Sequence, residues 1–361
     1  MTAKFDIEEI LEEYDKEKLS IATIGSHSAL NILRGAKEEG FRTAVICKEK
    51  DAIVYERFPL ADKIIIVNNF TELLNEKIQA ELRSLNAILV PHGSFTAYLK
   101  TEDIEKQLRI PIFGNRQLLQ WETSREKQRT WLQKAGLKLP KTFSSPEEIQ
   151  GLAIVKFPGA RGGKGYFLVD SPEKFWEKAR EMVRRGLISE EDIRNVHLQE
   201  YIIGVNVYPH YFSSVIRNET EFFGVDRRYE SNVDAIGKIP AGEQLRLDLP
   251  LTYTVVGNIP LTVRESLLPE LIRMGDKVVE VSREIASPGI IGPFCLETVI
   301  DANLEIYTFE ISARIVAGTN VGIGISPYAY IKYGAGMYMG RRIALEIKEA
   351  LKRNKLKEVL T

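Results

Sequence analysis

Two glutamates stand at matched distances from a turn signal. Phe294-Cys295-Leu296-Glu297-Thr298-Val299-Ile300 and Glu305-Ile306-Tyr307-Thr308-Phe309-Glu310-Ile311 have strand composition and flank Asp301-Ala302-Asn303-Leu304. If the turn centres on Asn303 and Leu304, Glu297 falls opposite Glu310, with Cβ atoms about 5 Å apart. Carboxylates that close repel unless a proton or cation lies between them. An all-oxygen pair suits Mg²⁺ (or Mn²⁺), which also takes phosphate oxygens. A register slip of one residue would instead turn one glutamate to water. Both strands are otherwise apolar, so each glutamate interrupts a face expected to be buried. Arg314 follows four residues after Glu310, with Ser312 between them on the same pleat face. An arginine there can stabilise charge developing on a transferring phosphoryl or acyl group, or simply pair with one of the glutamates.

The second chemical stretch is Ala153-Ile154-Val155-Lys156-Phe157-Pro158-Gly159-Ala160-Arg161-Gly162-Gly163-Lys164-Gly165-Tyr166-Phe167-Leu168-Val169. Two strand-like runs enclose a loop with four glycines, an arginine and a lysine. Glycines let backbone N–H groups approach an anion without a Cβ in the way, and Lys156, Arg161 and Lys164 add positive charge. A Walker loop would need Ser or Thr after Lys164 and a helix beyond; Gly165 and a strand follow instead. A dinucleotide turn would also lead into a helix. The loop reads as a flap over polyphosphate; the bland alternative is a basic hairpin tip.

These residues need positioning. Residues 1–115 alternate strands and helices: Ser20–Ile24, Ala29–Glu39, Thr43–Cys47, Lys63–Val67, Thr71–Leu82 and Ala87–Val90. That pattern predicts a parallel sheet, whose ligands sit beyond the carboxyl ends of its strands. Gly25-Ser26-His27-Ser28 and Pro91-His92-Gly93-Ser94 are loops of that kind, each carrying glycine, serine and histidine. They predict a site for a phosphate-bearing small substrate, with His27 and Ser94 as contacts. The alternative is that the serines cap helices and the histidines are structural.

Residues 116–361 read as a second, α+β region. A helix over Arg116–Ala135 carries Lys127 and leads to strands at Lys141–Phe143 and Ala153–Phe157. His197–Gly204, Val205–Ile216 and Thr220–Asp226 read as strands, and Asp226–Glu230 as the end of the last. Residues 234–249 and Tyr253–Asn258 show no clear period and read as loop. Thr262–Ile285 and the basic end from Arg341 to Lys357 are helical.

Lys+Arg 49 against Asp+Glu 50 leaves a net charge of −1, which offers no field for nucleic acid. No apolar run approaches membrane-spanning length, and the start lacks a secretion signal. Cys47 and Cys295 both lie in apolar runs and read as buried thiols of a reducing compartment, so a cytoplasmic location is expected.

The order Lys127, Lys156, glycine loop, Gln199-Glu200-Tyr201-Ile202, Glu297, Glu310 and Arg314 resembles the ATP-grasp ligases. The resemblance implies two β-rich lobes holding ATP between them: a glycine-loop lobe over about 140–200, a metal-binding lobe over about 200–340, and a C-terminal helix. It implies that Lys127 and Lys156 contact phosphates beneath Gly162, Gly163 and Lys164. Gln199, Glu200, Tyr201 and Ile202 would edge the adenine, Glu230 would meet the ribose, and Glu297 and Glu310 would hold Mg²⁺. Ser312 stands where the family often has Asn, which puts one of two metal positions in doubt. Asn206 stands where a glutamate is common. The loops at Thr23–Leu30, Pro91–Ser94 and Pro111–Asn115 narrow the resemblance to a formate-dependent branch in purine biosynthesis. That implies the substrates ATP, formate and an aminoimidazole carboxamide ribonucleotide, with His27, Ser94 and Asn258 on the ribonucleotide, catalytic roles for Arg314 and Lys156, and a homo-oligomer. Neither a nucleic acid nor a membrane is an expected partner.

Overall fold

The structure, a computed structural model, describes residues 7–157, 166–247, 252–316 and 326–361. Gly162, Gly163 and Lys164 of the glycine loop lie outside the described residues, as does Gly318-Thr319-Asn320.

Strands β1 (Ser20–Ile24), β2 (Arg42–Cys47), β3 (Lys63–Ile66) and β4 (Ala87–Leu89) form a parallel sheet in the order β3-β2-β1-β4. All five residues of β1 are buried, as expected of a central parallel strand covered on both faces. The expected helix over Thr71–Leu82 is instead a 3₁₀ turn, Phe70–Leu74, and a helix, Glu76–Ser84, parted by the extended Asn75. Asn69 caps the 3₁₀ turn through the Thr71 N–H, and its backbone is in turn bonded by Glu72.

A four-stranded antiparallel sheet comprises β5 (Thr142–Phe143), β6 (Ala153–Lys156), β7 (Tyr166–Val169) and β8 (His197–Glu200), in the order β5-β8-β6-β7. Helix Pro172–Arg184 covers it with Phe175 and Ala179, which pack with Val155, Val169 and Leu198. The strands β9 (Gly204–Ser214), β10 (Glu219–Asn232), β11 (Tyr253–Pro260), β12 (Gly292–Asp301) and β13 (Ile306–Ser312) make a five-stranded sheet in the order β11-β10-β9-β12-β13. Helix Leu268–Ile285 lies on it so closely that a Cβ on Gly275 would stand 2.6 Å from the Tyr211 ring. Residues Tyr253–Asn258, read as irregular, belong to β11. As an edge strand it leaves Val255 and Val256 exposed, so no buried face imposes an alternating pattern. Residues 234–249 contain two short helices, Val233–Ile236 and Ala241–Leu247.

The expected single helix over Arg116–Ala135 is two helices, Arg116–Thr123 and Arg125–Lys134. Ser124 between them is extended, and its hydroxyl accepts from the Lys127 N–H as the cap of the second helix. Helix Met339–Lys352 returns to the N-terminal region. A Cβ on Gly35 would meet Arg341 N at 2.1 Å, and one on Gly340 would meet Asn31 O at 2.1 Å, so two glycines let helices Ala29–Glu38 and Met339–Lys352 cross in contact. One apolar core joins Ile21 and Ile32 to Phe212, Ile343 and Ile347. The chain ends beside Ile112, with Ile112 N–H donating to Thr361 O and Thr361 N–H to Ile112 O, both at 2.9 Å.

Candidate active site

The strands β12 and β13 pair Glu297 with Glu310. The pairing arises differently from the sequence expectation. Ile300 pairs with Ile306, so the turn centres on Asn303, one half-step from the expected position. Without correction, that register would offset the glutamates. A β-bulge beyond Thr298–Thr308 adds Phe309 as an extra residue on β13 and restores the Glu297–Glu310 pair.

Glu297 is buried and carries a partner that the sequence reading passed over. Arg228, on β10, grips both of its oxygens, with the first guanidinium nitrogen 2.9 Å from Oε2 and the second on Oε1. Its guanidinium also lies 4.0 Å over the Tyr208 ring. Asp226, Arg228 and Glu230 recur at every second residue of β10, and that alternation of charge was the available signal. Glu310 opens to solvent on the cleft, yet protein stands close around it. Desolvation first, then the charge of Glu297, raise its carboxyl to about 7 against the pull of Arg228, Lys156 and Arg314. Glu230 is also held up at about 7, by burial and by Asp234 and Glu297, while Arg228 draws it down. Among the described residues no group of three or more His, Cys, Asp or Glu side chains converges as a metal cage. Two facing carboxylates whose mutual repulsion is felt at Glu310 nonetheless fit a hard divalent cation that completes its shell with phosphate and water oxygens. Ser312, by contrast, is buried opposite Cys295.

Lys156 ends β6 and donates to Gln199 Oε1 at 2.9 Å. Burial lowers its pKa; Glu310 and Glu297 favour the cation, while Arg125 opposes it. Lys156 therefore shares an electrostatic neighbourhood with both glutamates. The same cations act on His197, which burial, Lys156, Arg125 and Arg129 hold down at about 4. Arg125 is a second residue missed in the sequence; it also bonds the Tyr166 hydroxyl. Lys127 is exposed, with its ammonium 5.8 Å from the Trp121 ring centroid. Glu200 accepts from Lys141 N–H through Oε2 at 3.1 Å, and Tyr201 N–H donates to Leu152 O at 2.9 Å. Ile202 follows in the extended link between β8 and β9.

At the carboxyl edge of the parallel sheet, His92 is fully buried. Its Nε2 lies 2.7 Å from Ile24 O, and its Nδ1 accepts from Ser94 N–H at 3.2 Å. Nε2 therefore carries the proton, and burial holds the ring neutral with its pKa at about 3. His92 is thus a brace between the ends of β1 and β4. Exposed His27 stands with its ring 6.1 Å from that of His92, its backbone at φ 38. Burial of its ring nitrogens and the Arg314 charge lower its pKa. Ser28 does not cap its helix through its side chain; its hydroxyl donates to Val316 O at 2.8 Å. Two buried polar atoms find no partner among the described residues: Ser94 Oγ, at this edge, and Asn258 Oδ1, on β11. Asn258 pairs with Arg228 across β10 and β11, which sets it beside the glutamate cleft.

Arg314 joins the two halves. It pairs with neither Glu297 nor Glu310. Its Nε donates to Glu122 Oε1 at 2.9 Å, while Glu122 Oε2 accepts from Ala313 N–H at 2.8 Å. Held so, its charge acts on Glu310 on one side and on His27 and His92 on the other. A Cβ added to Gly93 would lie 3.6 Å from the guanidinium.

This arrangement, a parallel-sheet domain followed by two antiparallel β lobes around a lysine and paired glutamates, is the ATP-grasp fold. An N5-carboxyaminoimidazole ribonucleotide synthetase bound to ADP matches it with a TM-score of 0.60 at 17% identity, over 88% of this chain and 76% of that one. Family models described as a domain of unknown function, DUF1297, and a protein of unknown function, DUF1246, match residues 174–361 and 21–143. A protein of Archaeoglobus fulgidus named 5-formaminoimidazole-4-carboxamide-1-(beta)-D-ribofuranosyl 5'-monophosphate synthetase is 57% identical over 97% of each chain. A protein of the same name from Methanopyrus kandleri is 52% identical over 100% of each. The crystal structure of an IMP biosynthesis protein PurP from Thermococcus kodakaraensis matches with a TM-score of 0.73 at 34% identity, over 94% of this chain and 100% of that one. The chain belongs to this family of synthetases.

Proposed function

We propose that this chain is an ATP-dependent carbon–nitrogen ligase that joins formate to the amine of 5-aminoimidazole-4-carboxamide ribonucleotide in purine biosynthesis. The products are the formamido ribonucleotide, ADP and phosphate. The observation that carries the reading is the convergence of Lys156 with the paired Glu297 and Glu310, in a chain whose close relatives are named for the formamido product.

Formate is a poor acceptor for an amine because its leaving group would be oxide. Its oxygen attacks the γ-phosphorus of ATP, breaking the bond to ADP and forming formyl phosphate. The ribonucleotide amine then attacks the formyl carbon, and phosphate leaves with the amine proton. Both reactants of the first step are anions, so cations must offset their repulsion. Lys156 supplies one near the γ-phosphate, and Arg314, fixed by Glu122, supplies another between the ATP side and the ribonucleotide side. A divalent cation held by Glu297 and Glu310 would add charge neutralisation on the phosphates. Lys127, with Gly162, Gly163 and Lys164, encloses the phosphates; Gln199–Ile202 and Glu230 take the adenosine. His27, Ser94 and Asn258 take the ribonucleotide, and the orphaned Ser94 hydroxyl and Asn258 carbonyl give it hydrogen-bonding partners. The enzyme would act in the cytoplasm on diffusible substrates as a homo-oligomer, which light scattering of the purified chain tests.

The test is ADP release with the amino ribonucleotide and a panel of small carboxylates. Release with formate alone supports the reading. Release with a larger carboxylate in place of formate would favour an ATP-grasp ligase of a different acid and amine.

A further inference from the structure

The ribonucleotide carries a phosphate dianion, and none of the three residues so far given to it is a cation. His27 is held toward its neutral form by burial and by Arg314. Arg314 is already bound to Glu122. The parallel sheet offers another positive group. Lys48 follows the last residue of β2, and its ammonium stands 5.3 Å from the ring centroid of Phe70 and 5.7 Å from that of Tyr98. The two rings are themselves 4.9 Å apart. Ring faces attract a cation without using its hydrogens, so the ammonium keeps its donors for an anion. Three other lysines of this domain have carboxylate partners, Lys18 with Asp15, Lys37 with Asp62 and Lys63 with Glu81. Lys16, Lys50, Lys77, Lys100 and Lys106, like Lys48, have none within salt-bridge reach among the described residues, but of these six only Lys48 lies over aromatic rings.

Its position is that of a ligand contact. In a parallel sheet, ligands gather beyond the carboxyl ends of the strands, and Lys48 stands beyond that of β2. The loop bearing His27 presses on the same end, since a Cβ on Gly25 would lie 2.6 Å from Cys47 Cβ. Tyr98 ends the helix that starts at Gly93 and carries Ser94, whose buried hydroxyl has no partner. Gly93 abuts Arg314 and Tyr98 abuts Lys48, and five residues of helix separate them by about 7 Å. The reacting amine belongs near Arg314 and Glu310. The phosphate, at the other end of the ribonucleotide, then belongs at the Lys48 end.

Resting on the substrate reading above, we infer that Lys48 binds the 5'-phosphate of the ribonucleotide and is the residue that selects it over the unphosphorylated riboside. The experiment is calorimetric titration of wild type, Lys48→Met and Lys48→Arg with the amino ribonucleotide and, separately, with its riboside. Wild type should bind the ribonucleotide more tightly. Lys48→Met should lose about tenfold or more in ribonucleotide affinity with riboside and ATP affinities unchanged, and Lys48→Arg should recover most of the loss. If wild type prefers the ribonucleotide and Lys48→Met keeps that preference, the inference fails and the substrate reading stands. Equal losses for ribonucleotide and riboside would make Lys48 a structural residue and also overturn it. A wild-type chain that binds neither molecule would overturn the substrate reading and this inference with it.

Discussion

Two of the molecule's clusters of arginine and glutamate are built to opposite rules. At the junction of β9, β10 and the last helix, Arg342, Glu221 and Glu346 are completely buried. Arg342 Nε and one terminal nitrogen donate to Glu221 at 3.0 and 2.8 Å, and Glu346 accepts from Ser214 Oγ and Ile216 N–H. Tyr333 also donates to Glu221. Every carboxylate there is answered from within the chain. In the cleft, Arg228 answers Glu297, but Glu310 faces Glu297 across the strands and opens to solvent. The first cluster closes a junction; the second leaves Glu310 with internal cations nearby but no bonded side-chain partner among the described residues, open to a ligand from outside the chain.

The largest effect is expected from removing that open carboxylate. Glu310→Gln should lower turnover by about a hundredfold or more, because a carboxylate of the proposed cation-binding pair is lost. The same change should raise, not lower, the melting temperature of the metal-free protein at pH 8. Glu310 is held above its ordinary carboxylate value, so its ionised form costs stability as pH rises through about 7. A melting temperature that falls would mean that Glu310 belongs to the first kind of cluster.

Breaking the closed cluster should do the reverse. Arg342→Met leaves buried Glu346 without its cation and Glu221 with only Lys332 at 3.9 Å, and should cost about 3–5 kcal/mol in urea unfolding. Turnover per folded molecule should stay near that of wild type, since no cleft residue touches Arg342. A variant that unfolds normally but is inactive would erase the distinction between the clusters.

A third pair tests the boundary by pH. His210 lies buried on β9 and is bonded to Asp226 on β10. Burial opposes its charge, but Cys295 and Asp226 raise it to about 10. Burial also raises the Cys295 thiol. A histidine raised in the folded state stabilises fully below its unfolded value, about 6.5, and loses that contribution as pH rises through about 10. His210→Asn should therefore destabilise by about 2 kcal/mol at pH 6, with the gap to wild type closing by pH 10.5. A gap independent of pH would show a neutral His210.

The sequence made the two kinds of cluster only partly distinguishable. Paired strand runs around Asp301–Leu304 were enough to bring Glu297 to Glu310, yet the pairing depends on an added Phe309 that no local pattern announces. The parallel sheet was legible because its strands are nearly continuous apolar runs. The break at Ser124 was hidden by helix-forming residues on both sides. Arg125, Arg228 and Glu122 were missed because their partners are distant in the chain: Glu122 meets Arg314 across 192 residues. Gly35 and Gly340 carry no local signal at all; only the crossing of two helices explains them.

The smallest effect is expected where the molecule leaves a neutral group unanswered. Ser94 Oγ is buried at the carboxyl edge of the sheet without a hydrogen-bond partner among the described residues. Within the closed rule such an atom is a defect, since burying an unpaired hydroxyl costs about 1–3 kcal/mol. Within the open rule it is a contact awaiting substrate. Ser94→Ala separates the two. It keeps the backbone N–H that donates to His92, so the brace between β1 and β4 survives. Stability to urea should be unchanged or slightly greater, because a desolvated group has been removed. Ribonucleotide affinity should fall by about tenfold, the worth of one hydrogen bond made only in the complex. ATP affinity should not change. A loss of stability with unaltered ribonucleotide affinity would return Ser94 to the structural class and leave Asn258, with its own unpartnered Oδ1 among the described residues, as the proposed ribonucleotide contact still to be tested.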